Sequence, residues 1–343
     1  MKLRSLAVTI ACVCAAALVT PAAAQASTTR ADAGAGWLAR QLVNGDHLET
    51  VFDGVGYPDA GLTIDAILAF ASAGVAKTAG GKAITWLAQS DTLAGYIGDG
   101  TEESYAGATA KSALAAEVRG LDPATFGGQD LPARLRALLT PSGRFSDHSA
   151  FGDYSNAFTQ SLALVALRRT PGGTPASAVD FLAGTQCADG GFPLSFGVTP
   201  CVSDTDSTAM VTQALQASGR ILKAQQGLTW LAGKQQANGG LSYGTGGTTA
   251  APNSNTTGLA GQAFRAGGRL NAASQAKAFI VSLQVGCTGP VGDRGAIAYD
   301  QTGFNANTAV RATAQAVLGL GGPGLAHLSA AGSAPETPVL TCP

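Results

Sequence analysis

From about residue 30 onward, two kinds of apolar segment alternate along the chain. The first carries a bulky residue followed by a second apolar one, at Trp37, Trp86, Phe181, Trp230 and Phe279. Trp37 to Trp86, Phe181 to Trp230 and Trp230 to Phe279 are each 49 positions apart. Leu135 lies 49 after Trp86 and 46 before Phe181, and stands as a worn third member. A fixed period of this length predicts six tandem supersecondary units.

Each unit reads as a helix, a Gly-rich loop and a second helix. In the fifth unit these are 228–236 (LTWLAGKQQ) and 256–265 (TTGLAGQAFR). The loops place aromatics at matching points: Phe145, then Phe192 and Phe196, Tyr243 and Tyr299. Glycine permits the reversal and the ring covers the end of the hairpin. Polar side chains suited to capping precede the second helices at Asp59, Asn156, Asp206, Asn255 and Asn307, with no clear equivalent in the second unit.

The two helix sets differ in bulk. First helices carry Trp, Phe and Leu, whereas second helices are crowded with Ala, Gly, Thr and Ser, as in 208–217 and 308–318. Small residues let helices converge on an axis, and large ones fill the wider gap between layers. An open superhelix needs end repeats with a polar outer face, which neither the Trp37 nor the Phe279 segment has. The expectation is an all-α, closed (α/α)6 toroid over residues 27–322.

Composition adds a compartment. Lys2 and Arg4 precede an apolar stretch from Leu6 to Val19 and small residues around 21–26, the pattern of an export signal over 1–26. The run is broken by Pro21 and is short of the roughly 20 residues of a spanning helix, so a released, extracellular protein is expected. Four cysteines remain after the leader, and an oxidising compartment pairs them. Of three connectivities, Cys187 with Cys201, flanking one loop, and Cys287 with Cys342, tying back the tail 323–343, are favoured. No close Cys pair accompanies His47, His148 or His327, so no metal site is expected. A net charge of −1, with scattered Lys and Arg, excludes nucleic acid and anionic membrane as obvious targets. A monomer is expected.

The runs Phe181, Leu182, Gln186, Gly190, Gly191, Phe192 and Trp230, Leu231, Gln235, Gly239, Gly240, Leu241 resemble the QW-type repeat of the prenyltransferase and squalene-cyclase superfamily. Phe279, Ile280 and Gln284 form a degenerate copy. The resemblance covers nearly all of the mature chain and implies an α/α toroid, a scaffold shared by terpene cyclases, transcobalamin-like binders and complement-type thioester domains.

Each implied activity can be set against residues. Protonating cyclases carry a DxDD motif, and here Asp204, Thr205, Asp206, Ser207 matches it except at the last carboxylate, with Asp206 as the acid and Asp204 its neighbour. Alkene protonation needs a strong, desolvated acid and aromatic faces for the cation, yet the chain is only 6% aromatic. Helix capping is the plainer role for Asp206. The Asp, Cys and His zinc set of a protein prenyltransferase, the GCGEQ-like thioester sequence and the β-rich second domain of a corrin binder are all missing. A carbohydrate-active toroid would draw on Asp59, Asp153, Asp204 and Asp206, whose pairing spacing does not reveal. The reading is therefore a secreted, non-catalytic binder of a small molecule or surface partner, without cofactor. Asp59, Asn156, Asp206, Asn255, Asn307, Tyr243 and Tyr299 would line the mouth; a cyclase using Asp206 and Asp204 is the alternative.

Overall fold

A computed structural model describes residues 28–245 and 249–342. The leader at 1–26, with Cys12 and Cys14, lies outside the described residues. Helices dominate: α1 (Arg30–Arg40), α2 (Ala60–Ala73), α3 (Lys77–Leu87), α4 (Ser90–Ile97), α5 (Ala106–Val118), α6 (Leu131–Ala137), α7 (Ala157–Leu167), α8 (Ala176–Gly184), α9 (Thr205–Ala217), α10 (Ile221–Lys234), α11 (Ser254–Ala266), α12 (Leu270–Leu283) and α13 (Ala306–Leu320). No described helix is long and apolar enough to cross a membrane.

Six helices, α2, α5, α7, α9, α11 and α13, pack each against the next, and α13 packs back against α2. The others lie outside them. Their apolar faces follow the size segregation in the sequence: Trp37, Leu135 and Phe279 are buried between the layers. On the inner side glycine allows close approach, since a Cβ on Gly258 would meet Gln315 O at 2.5 Å and Ala316 Cα at 2.7 Å. The helices run longer than expected, α10 beginning at Ile221 and α13 at Ala306, with exposed first turns that lie outside the bulky signature.

Three glutamines explain the repeated signature. Gln186, at the end of α8, donates to Gly190 O (2.9 Å) in its own loop and to Lys223 O (3.1 Å) in α10. Gln235 does the same to Gly239 O (2.9 Å) and Ala272 O (3.0 Å) in α12. Gln284 donates to Gly295 O (3.0 Å) and to Arg30 O (2.9 Å) in α1. The amide thus shapes its loop and ties each outer helix to the following one. Gly239 and Gly295 sit in the left-handed region (φ 88° and 96°). A Cβ there would lie 2.2 Å from Gln275 O and 2.3 Å from Ala33 O, so glycine is required both for the turn and for contact with the next outer helix.

The disulfides Cys187–Cys201 and Cys287–Cys342 are formed. Beyond α13 the tail crosses the axis and then runs under several repeats. Ala330 N–H donates to Val118 O (2.8 Å), Ala334 N–H to Gly74 O (2.9 Å), and Arg40 reaches Pro338 O (3.3 Å) before Cys342 meets Cys287.

Two features depart from the sequence reading. Strands β1 (Glu49–Phe52) and β2 (Val55–Pro58) form an antiparallel hairpin with Glu49 opposite Pro58 and Phe52 opposite Val55. Its turn places Asp53 and Gly54 at positive φ, the chemistry of a tight hairpin. The helix caps also shift. Asp59 and Asn156 do cap α2 and α7, but α9, α11 and α13 are capped by Asp204, Asn253 and Asn305, each two residues before the expected Asp206, Asn255 and Asn307. The reason in α9 and α11 is the loop: Asp204 N–H donates to Phe192 O (2.9 Å) and Asn253 N–H to Leu241 O (3.0 Å), holding those residues extended so that the helix starts after them. In the second unit the task passes to a distant side chain, with Asp147 accepting from Ala106 N–H (2.8 Å).

Candidate functional site

One hydrogen-bonding pattern sets the inner helices in register. Thr63, Thr208, Thr257 and Thr313 accept, through Oγ1, from the N–H groups of Leu48, Phe192, Leu241 and Ile297 at 2.8 to 2.9 Å. Gln160 Oε1 does so for Phe145 N–H (2.9 Å). Two residues further along these helices come Asp65, Met210, Leu259, Gln315 and Leu162, and Lys111 follows Thr109 in α5. All six line a single cavity of about 280 Å³ on the axis of the inner helices. That is near the lower end of the ~300–1,000 Å³ usual for ligand pockets.

The lining is divided. The consecutive helices α13, α2 and α5 supply Gln315, Asp65 and Lys111 along with Leu318 and Leu68, with Tyr96 beside them, whereas α7, α9 and α11 supply Phe158, Leu162, Met210 and Leu259, with Asn156 and Thr159 the polar positions on that side. Lys111 Nζ pairs with Asp65 Oδ1 at 2.6 Å and donates to Gly61 O at 2.9 Å. Burial opposes the Lys111 charge, but Asp65 and Tyr96 outweigh it and hold the ammonium above its ordinary pKa. Burial, reinforced by Asp65 and Asp59 against Lys111, raises the Tyr96 phenol.

The tail forms the floor. Leu325, almost fully buried, lines the cavity and donates its N–H to Gln213 Oε1 (3.1 Å), while Gln262 donates to Pro323 O (3.1 Å). At the opposite end, Asp59 accepts from Leu62 N–H (2.8 Å) and Thr50 (2.6 Å) and pairs with Arg311 (3.0 Å). Burial would raise its carboxyl, but those donors with Arg311 and Lys111 keep it below the usual range.

Solved structures of known proteins share the fold. A type II terpene cyclase from Scytonema is 14% identical, with 85% of this chain and 96% of that one covered at a TM-score of 0.60. The ent-copalyl diphosphate synthase from Streptomyces platensis is 16% identical over 76% of this chain and 50% of that one, at 0.50. The fold is that of the type II terpene cyclases. A glycosidase has the same fold at 12% identity, covering 84% of this chain and 95% of itself at 0.57. No protein-family profile and no curated protein matches the chain.

On this terpene-cyclase fold the residues singled out from sequence are dispersed around the end that carries the inner-helix N-termini. Asn156 lines the axial cavity, whereas Asp59 lines, with Arg311, a different recess under the hairpin. Asp206, in the first turn of α9, does not line the cavity; its carboxyl is pushed up to about 6, first by burial and then by the charge of Asp204, against hydrogen bonds from Thr256 and Gly244. Asp204 Oδ1 accepts from Ser207 N–H at 2.7 Å, so that oxygen serves the helix end. Asn255 is part-buried in the first turn of α11, and Asn307 is exposed on α13. Tyr243 is exposed, and Tyr299, raised by burial, lies within electrostatic reach of Tyr243 and Asp206. Asp65, Lys111, Gln315, Tyr96 and the apolar wall escaped the sequence reading. Their signal was a charge or bulky residue two positions after the recurring Thr of an otherwise small-residue helix.

Proposed function

We propose that the chain is a secreted, extracellular binding protein that holds a small amphipathic molecule in its axial cavity without transforming it. The supporting observation is the division of the lining, with Lys111, Asp65 and Gln315 on three adjacent helices and Phe158, Leu162, Met210 and Leu259 on the other three. A ligand with one hydrogen-bonding head and an apolar body satisfies both halves, since a buried polar head without partners would be costly. The carboxylate in the lining, Asp65, is paired with Lys111 and so is a poor proton donor. In this reading residues 27–322 form a closed (α/α)6 toroid, the tail 323–343 straps it from below, and the leader 1–26 directs export of a monomer. Asp59 and Asn156 belong to the mouth, together with Asp206, Asn255, Asn307, Tyr243 and Tyr299.

The fold of the cyclases, with the buried Asp206 carboxyl, supports a second reading: an isoprenoid cyclase with Asp206 as acid and Asp204 as its neighbour. A carboxyl pushed up to about 6 keeps its proton nearer to neutral pH, as a general acid must, but Asp206 is not among the residues that line the axial cavity. Incubation of the mature protein with farnesol and geranylgeraniol, followed by extraction, separates the two. Binding predicts that both alcohols are recovered unchanged. A cyclised product that vanishes in Asp206→Asn would replace the binding reading with the enzymatic one.

A further inference from the structure

The connections that lead from outer to inner helices, 41–59, 98–105, 138–156, 185–204, 235–245 with 249–253, and 284–305, lie at the end carrying the inner-helix N-termini. They hold more than half of the chain's 22 Asp and Glu residues, but of its 21 Lys and Arg residues only Arg144 and Arg294. Arg144 is itself paired with Asp153 at 2.9 Å. The helix turns adjoining them add Arg40, Arg134, Arg136, Lys234 and Arg311, and the end still keeps an excess of carboxylates. The same connections leave Phe52, Tyr57, Phe151, Tyr154 and Tyr243 each more than half exposed.

Within this face, beneath the hairpin, lies a recess of about 620 Å³ lined by Phe52, Tyr57, Trp86 and Tyr96, with Asp59, Asp91 and Arg311. Asp59 is neutralised by Arg311. Asp91, on the first turn of α4, is exposed and makes no side-chain hydrogen bond or ion pair among the described residues. Four rings and one free carboxylate line the same space, the group types that hold a cation, although one face of Trp86 is already stacked on His47. The surrounding acidic field concentrates cations and repels nucleic acid and anionic lipid.

We propose that this face docks a Lys- or Arg-rich segment of a partner protein, with one cationic side chain seated in the recess between the rings and Asp91. The recess shares Tyr96 with the axial cavity, but a cation seated between the rings and Asp91 does not depend on that cavity holding a ligand. The test is fluorescence anisotropy of labelled octalysine with the full mature chain, at low and at physiological salt, beside octaglutamate and the neutral sugar cellohexaose. Octalysine should bind saturably and weaken by about tenfold or more as salt screens the face. Asp91→Asn, and separately Phe52→Ala with Tyr57→Ala, should each weaken it by roughly fivefold, in keeping with the loss of a cation–π or charge contact. These positions are exposed, and unchanged thermal melts would show that the variants fold. Absence of octalysine binding, equal binding of octaglutamate, affinity untouched by both variants, or salt-insensitive binding of cellohexaose in its place would each overturn the proposal.

Discussion

Gln284 Nε2 donates to Arg30 O at 2.9 Å, joining the end of the last outer helix to the first residue of the first. The bond repeats what Gln186 and Gln235 do between successive outer helices, across a separation of 254 residues. Gly295 adds to the same junction through its contact with Ala33.

Removing that amide breaks its bonds to Arg30 O and to the buried Gly295 O. Gln284→Ala should lower unfolding stability by about 1–3 kcal/mol, the cost of leaving buried groups unpaired. Urea denaturation followed by circular dichroism measures it. A loss below the error of the fit would mean that the two ends are not mechanically joined there.

Gly295→Ala asks more of the backbone, because it combines φ 96° with a Cβ 2.3 Å from Ala33 O. A cost of about 2 kcal/mol or more is expected from strain and backbone displacement together. Gly233→Ala, with open space around the new methyl, is the control and should be close to neutral or slightly stabilising.

The Asp65–Lys111 pair is largely buried, with side chains 13% and 19% exposed. Lys111→Met leaves Asp65 without its partner and should destabilise by roughly 3–5 kcal/mol. Adding Asp65→Leu should recover most of that loss, as buried pairs replaced by apolar residues often do. The melting temperatures of the single and double variants decide the matter; a double variant no better than the single would show that the pair contributes beyond mutual neutralisation.

Two carboxyls give stability a slope with pH. Burial pushes Glu117 up to about 7, against the opposing charge of Arg169, and neither of its oxygens has a hydrogen-bond partner. Asp206 is pushed up to about 6. Below the unfolded values of 4.5 and 3.8 both states are protonated and no penalty exists. As pH rises, the unfolded chain releases protons that the folded chain retains, so stability falls until the folded pKa is passed. The melting temperature should therefore decline between about pH 4.5 and 7, and Glu117→Gln should flatten the upper part of that decline. A flat profile in the unaltered protein would contradict both assignments.

The helical repeat was legible because its physics is periodic. A bulky pair recurring at 46 to 49 positions, with small residues between, dictates two layers of unequal spacing. The hairpin at 49–58 was harder to see, since one short pair of strands interrupts a pattern of Gly-rich loops. Capping was ambiguous where two suitable residues stand two apart, as in Asp204 and Asp206; a main-chain bond from the loop selects the first, and only the fold brings Phe192 there. The cavity was the least legible. Its six lining positions are 46 to 56 residues apart from helix to helix, and they share a place only through the Thr-to-loop hydrogen bonds that fix the register.

The axial cavity as a ligand site is tested most directly by titrating the mature protein with farnesol, an apolar chain bearing one hydroxyl, under native mass spectrometry. Wild-type protein should form a one-to-one adduct, and Leu162→Trp, which fills the apolar half, should abolish it while keeping a cooperative melt. An adduct that persists undiminished in Leu162→Trp, or no adduct with the wild type at all, would contradict the account.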